Sequence, residues 1–308
     1  MSTTGATAPS RTWLDSLSLL PRGVSQIFFQ NNVWTGLLIL LAFLVADWQM
    51  ALLVVIGAVC STLAGYALRV DPGHFDIGFQ GFNGALIGAA AFTALGDQGW
   101  SYVATIAGGV ACAPVTWFFG WLFATRPLAR YALPSTTAPF CTVAGIIYAL
   151  TTSVHVRDTP HHVADGTGES MLRSLLTNVS EVVLVNSVWS GALILIGLFV
   201  ASWKVGLAAS MGSIVGTLCA WAMGETSETI NEGLSGYSGV LTAIALAAVF
   251  LVGTAAAWVY AAIGAAITAV TTLAMTDWYG DPHYTWPYIL TTWVLLVVAA
   301  YIPALKRP

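Results

Sequence analysis

The sequence predicts an all-α integral membrane protein built as an inverted internal repeat of two halves. Two observations support this fold class. First, 57% of the 308 residues are apolar and only 8% carry a charge, against roughly 25% charged residues in an average soluble domain. Second, three motifs occur twice, in the same order and at nearly constant spacing. We expect each half to hold about five transmembrane helices and one short re-entrant helix, with a central pore in each protomer.

The composition excludes several classes of protein. A mean hydropathy of +0.79 and thirteen Trp residues indicate that lipid surrounds most of the surface. The formal charge is −4, from 10 basic and 14 acidic residues, so a surface that binds nucleic acid is not expected. The chain has no phosphate-binding loop, nucleophile elbow or HExxH sequence, and therefore nothing predicts an enzyme, a cofactor or a metal site.

The repeat is defined by three motif pairs. These are residues 26–40 with 181–195, 81–86 with 236–241, and 137–140 with 285–288. The first two pairs are separated by 155 residues (181 − 26 and 236 − 81), and the third by 148 (285 − 137). Ordered pairs at one spacing indicate a duplicated half.

The predicted elements follow the repeat. We expect a cytoplasmic tail without a cleavable signal peptide over 1–20, a first membrane repeat over 21–153, an outer linker over 154–178 and a second membrane repeat over 179–305. Short polar-tipped segments near 24–31 and 179–186 are the predicted re-entrant helices. The predicted spans are the apolar stretches 33–46, 49–68, 82–96, 100–124, 138–153, 188–202, 204–223, 238–252, 254–275 and 287–303.

The basic residues predict the orientation. With both termini in the cytoplasm, five spans per half place eight of the ten Lys and Arg residues inside and leave Arg157 and Arg173 outside, as the positive-inside rule requires. An odd number of spans inverts the second half relative to the first, and such repeats enclose the substrate path of many transporters. We expect a multi-pass protein of a prokaryotic inner (plasma) membrane.

Gln26 and Glu181 occupy equivalent positions in the two halves. Both carry sp² oxygens that accept hydrogen bonds, so we interpret them as one acceptor at each mouth of a single pore, with an interfacial or capping Glu181 as the alternative. His155, His161, His162, Asp158 and Asp165 are interpreted as a solvated loop rather than a metal site.

Eight further candidates lie in or beside the repeated motifs. We expect the aromatic and leucine side chains to form apolar walls next to the acceptors. The threonines stand two residues before Pro139 and Pro287, and we expect these prolines to break a helix and leave an unpaired carbonyl beside a pore. The eight are Phe29, Phe82, Leu86, Thr137, Leu184, Tyr237, Leu241 and Thr285. Ordinary helix packing, or a Thr bonded to its own helix, is the alternative for each residue taken singly.

These duplicated motifs resemble the urea transporter (urea channel) family over about residues 20–305. The resemblance implies a homotrimer in the lipid membrane with one pore per protomer and passive, channel-like permeation of urea. It implies that Gln26 and Glu181 are the mouth acceptors. It also implies slot walls at Phe29, Phe82 and Tyr237, path-lining leucines at Leu86 and Leu241, and a constriction at Thr137 and Thr285.

The chain departs from the family pattern where Leu184 and Tyr237 replace expected phenylalanines and where Val33 and Val188 follow the asparagine motif. A short-chain amide or another small neutral solute is therefore an alternative to urea as the transported solute. Two rival functions remain open at this point. One is a proton-coupled carrier of urea or a related amide that uses Glu181, and the other is a membrane scaffold that transports nothing.

Overall fold

The computed structural model describes residues 13–70, 78–156 and 166–308. Every regular element in these ranges is a helix, which confirms the all-α prediction. The α-helices are α1 Trp13–Ser25, α2 Val33–Ala46, α3 Trp48–Ala67, α4 Phe82–Leu95, α5 Gly99–Phe123, α6 Arg126–Ala129, α7 Ala138–Thr151, α8 Thr167–Glu181, α9 Val188–Ala201, α10 Trp203–Ala222, α11 Ser227–Glu232, α12 Tyr237–Ile244, α13 Ala255–Tyr279 and α14 Trp286–Ala299. A 3₁₀ turn continues α1 and a π-helical turn continues α12.

The helices fall into long and short classes, as expected for a multi-pass membrane protein. Four of the described helices, α3, α5, α10 and α13, are 20 or 25 residues long and apolar enough to cross a bilayer. The 14-residue helices α4, α9 and α14 are apolar but shorter than a full span and need other elements to complete the crossing. All ten predicted apolar stretches coincide with a helix.

The two segments predicted to be re-entrant belong to longer helices. The first is the end of α1, and the chain bends by 80° between Phe28 and Val33 before α2 begins. The second is the end of α8, which begins at Thr167, inside the stretch predicted as a linker. Of the predicted solvated His and Asp loop, only His155 lies within the described residues, and its Nε2 is 3.1 Å from Thr151 Oγ1.

Hydropathy does not predict helix α8, because the buried face of this helix is polar. Ser174 Oγ lies 2.8 Å from Thr217 Oγ1 of α10. The Asn178 Nδ2 group donates to Ser213 Oγ (3.1 Å) and to Thr217 Oγ1 (3.0 Å). Serine, threonine and asparagine hold helices together within a membrane by such hydrogen bonds, so the helix needs no apolar stripe.

The two halves contact each other through equivalent atoms. Thr35 Oγ1 of α2 donates to the Gly197 carbonyl of α9 (2.8 Å), and Ser190 Oγ of α9 donates to the Ala42 carbonyl of α2 (2.8 Å). Both partners are shifted by 155 residues (190 − 35 and 197 − 42). Reciprocal contacts of this kind are what a two-fold relation between two units produces.

Glycines allow helices to approach closely at equivalent places in the two halves. A Cβ atom on Gly57 of α3 would collide with the Gly84 carbonyl of α4. At the equivalent place in the second half, a Cβ atom on Gly212 of α10 would lie 2.6 Å from the Gly239 carbonyl of α12. Backbone contact at these two crossings keeps α4 and α12 buried behind the long helices.

Candidate functional site

The predicted mouth acceptors lie in matching turns. Gln26 begins the 3₁₀ turn that ends α1, and Glu181 is the last residue of α8. Three residues later, Phe29 and Leu184 have the left-handed φ values 62° and 63°. That conformation is costly for residues other than glycine, and such residues cluster at functional sites. The two halves therefore present an acceptor and an apolar side chain from the same uncommon turn.

Exposure divides the ten candidates into two groups. Four are partly exposed, namely Gln26, Phe29, Glu181 and Leu184. Six are buried, with exposures of 0–6%: Phe82, Leu86, Thr137, Tyr237, Leu241 and Thr285. The candidates of the first motif are thus partly accessible, while those of the second and third motifs are buried.

The third motif brings the two halves together. Thr137 Oγ1 lies 2.6 Å from Thr285 Oγ1, and Cys141 Sγ lies 3.1 Å from the same Thr285 oxygen. Pro139 and Pro287 do not break these helices. They sit in the first turn of α7 and of α14, where a helix needs no N–H donor. Helices α7 and α14 therefore begin side by side at a pair of hydroxyl groups.

Aromatic rings surround these helix starts. The ring centroid of Phe29 is 5.5 Å from that of Phe250 and 6.2 Å from that of Tyr288, edge-on in both cases. The Tyr237 hydroxyl donates a hydrogen bond to the Tyr284 carbonyl, one residue before Thr285. Leu86 and Leu241 are fully buried, in the same core cluster as these rings.

Phe82 is the first residue of α4. Its ring packs edge-on against Phe79 at 5.3 Å. The next residue, Asn83, links α4 to the centre because its Oδ1 accepts from the Phe140 N–H (3.2 Å). Helix α4 is thus fixed to the first turn of α7.

Two further hydroxyl groups lie near the Thr137–Thr285 pair. They are not among the candidates predicted from the sequence, because their residue types differ between the two halves. Tyr288 OH and Thr136 Oγ1 are both buried and lie close enough to each other to interact through a hydrogen bond. The only sequence signal was their place in or beside the third motif, where Tyr288 corresponds to Phe140 and Thr136 to Tyr284. They add two hydroxyl groups to the buried centre.

Acidic groups lie near Glu181. Glu181 is close enough to Glu232 and Asp281 for their charges to interact. Asp281 Oδ1 is 2.8 Å from His283 Nδ1, and the His283 ring centroid is 6.4 Å from that of Tyr237. Glu181 therefore ends α8 in a cluster of acidic groups.

Comparison with known proteins gives the family. The family model described as "Urea transporter" matches residues 17–300. The chain is 26% identical to Urea transporter 1 of Rattus norvegicus, over 96% of this chain and 80% of that protein. It is 27% identical to Urea transporter 1 of Ovis aries, over 93% of this chain and 78% of that protein. The match to the family model covers far more than half of the sequence, and the chain belongs to the urea transporter family.

Proposed function

We propose that this protein conducts urea passively, as a channel, along one narrow path between its two halves. Membership in the urea transporter family indicates urea transport across a membrane, and the mechanism is our inference. The observation that carries it is the 2.6 Å contact between Thr137 Oγ1 and Thr285 Oγ1. Hydroxyl groups from both halves meet there in a buried centre.

Urea is planar and uncharged, and it has four N–H donors and one carbonyl. A solute that leaves water for this path needs acceptors for those donors, since each unpaired donor adds about 1–3 kcal/mol to the barrier. Gln26 and Glu181 offer sp² oxygens at the two mouths. The central hydroxyls, including those of Thr136 and Tyr288, continue the series. A spaced series of partners lowers the barrier without trapping the solute.

The apolar walls select for a flat molecule in this proposal. Phe29, Phe82 and Tyr237 contribute ring faces, and Leu86, Leu184 and Leu241 fill the rest of the wall. Leu184 and Tyr237 stand where the family pattern has phenylalanine, so the second-half slot is wider or more polar than the first. Short-chain amides are therefore proposed as secondary solutes.

The assembly and orientation are also proposed. The reciprocal bonds of Thr35 and Ser190 support two halves related by an axis in the membrane plane. We propose that three copies associate, each with its own path, in a prokaryotic inner membrane with both termini in the cytoplasm. The excess of basic residues on that side supports this orientation.

The test is urea flux into proteoliposomes with and without an imposed pH gradient. A channel gives flux that saturates weakly, stops at equal concentrations and ignores the gradient. Accumulation of urea beyond equilibrium, driven by the gradient, decides for a proton-coupled carrier that uses Glu181. The double variant with Gln26→Ala and Glu181→Ala slows urea in a channel, and unchanged permeability overturns the proposed mouths.

A further inference from the structure

We propose that Tyr237 sets the selectivity between urea and simpler amides, because its hydroxyl occupies a carbonyl that a phenylalanine would leave open to the solute. The inference rests on the proposed urea path and refines it. Its basis is a difference between the two halves at otherwise equivalent positions.

The carbonyls in question lie one residue ahead of α7 and α14. The helical hydrogen bonds begin at Thr137 and Thr285, whose carbonyls accept from Cys141 N–H (2.9 Å) and Ile289 N–H (3.1 Å). The preceding residues, Thr136 and Tyr284, have left-handed φ values of 47° and 48°. Their carbonyls are therefore turned away from the regular ladder, beside the central threonine pair.

In the second half, a hydroxyl group caps the carbonyl of Tyr284. Tyr237 OH donates to the Tyr284 oxygen, and both residues are buried, with exposures of 6% and 7%. In the first half the residue equivalent to Tyr237 is Phe82, which has no hydroxyl with which to cap Thr136. The N–H of Phe140, four residues after Thr136, donates to Asn83 Oδ1 (3.2 Å) and not back along the helix.

This asymmetry changes what a solute meets. A carbonyl that already accepts from a phenol is a weaker partner for an arriving N–H group. The phenolic oxygen that remains is a poorer acceptor than an open carbonyl. Urea brings four N–H donors and acetamide only two, so urea loses more when an acceptor is removed. Tyr237 therefore lowers the preference for urea over acetamide.

The experiment measures the ratio of urea to acetamide permeability in proteoliposomes by stopped-flow light scattering. Tyr237→Phe opens the Tyr284 carbonyl and is expected to raise the ratio by about two- to tenfold, the effect of one net hydrogen bond. Phe82→Tyr adds the cap to the other half and is expected to lower the ratio by a similar factor. A structural role alone would slow both solutes together and leave the ratio unchanged.

Tyr260→Phe is the matched control. It removes the bond from Tyr260 OH to the Leu295 carbonyl (2.8 Å), a tyrosine-to-carbonyl bond outside the proposed path, and should leave the ratio unchanged. A constant or reduced ratio in Tyr237→Phe overturns the inference, as does an unchanged ratio in Phe82→Tyr. If Tyr237→Phe does not fold, Phe82→Tyr decides alone. Absence of urea flux in the unmodified protein instead overturns the proposed function.

Discussion

Replacing Thr137 by valine should slow urea permeation far more than it destabilises the protein. Valine has nearly the same shape as threonine but no hydroxyl, so the change removes the 2.6 Å contact with Thr285 Oγ1 from a residue that is 3% exposed. Thr285 keeps Cys141 Sγ as a neighbour at 3.1 Å. The expected loss in stability is therefore only about 0.5–1.5 kcal/mol, the net worth of one hydrogen bond.

The effect on permeation is larger because the solute loses a partner in a buried place. One unpaired donor costs about 1–3 kcal/mol, which corresponds to roughly 5- to 150-fold slower flux. Stopped-flow urea uptake into proteoliposomes measures the flux, and thermal unfolding in detergent measures the stability.

The control for this prediction is Thr142→Val in the same helix. Thr142 Oγ1 donates back to the Ala138 carbonyl (2.8 Å), so its removal should leave urea flux unchanged. Equal flux in Thr137→Val and the unmodified protein would show that the central hydroxyl is only structural and would refute the reasoning.

Three further predictions test other parts of the structure. Glu181→Gln keeps an acceptor oxygen and should retain appreciable urea flux, and a well-folded but inactive variant would count against the acceptor role. Thr35→Val and Ser190→Ala each remove one of the reciprocal 2.8 Å bonds. They should lower the unfolding free energy by similar amounts of about 0.6 kcal/mol, and grossly unequal shifts in chemical denaturation would contradict equivalent roles. Gly57→Ala places a methyl group against a backbone carbonyl and should cost about 1–3 kcal/mol. Gly145→Ala, with no atom near its added Cβ, should be close to neutral in the same melts, and equal losses would refute the close crossing.

The sequence predicted the helical class and the apolar helices because both follow from composition and hydropathy. The resemblance to the urea transporter family implied a constriction at Thr137 and Thr285, and the hydroxyl oxygens of these two residues lie 2.6 Å apart. Helix α8 was hidden because its interface is held by serine, threonine and asparagine. Those residues are also common in loops, so the sequence alone does not distinguish this helix from a loop.

The contacts of the central site depend on tertiary structure that no local pattern records. The hydrogen bond from Tyr237 to the Tyr284 carbonyl joins residues 47 apart in sequence. The prolines of the third motif were expected to interrupt helices, and the structure instead uses them to begin α7 and α14. Both outcomes depend on where the preceding chain turns, at Thr136 and Tyr284, and no local residue pattern indicates those turns.

The most direct test of a single path between the halves is an experimental structure with selenourea bound. Selenium scatters anomalously, so its sites appear without interpretation of weak density. A urea path predicts selenium peaks near the Thr137–Thr285 pair and beside the Phe29 ring. Peaks confined to the lipid-facing surface, or peaks beside Gln26 and Glu181 in two unconnected cavities, would contradict it.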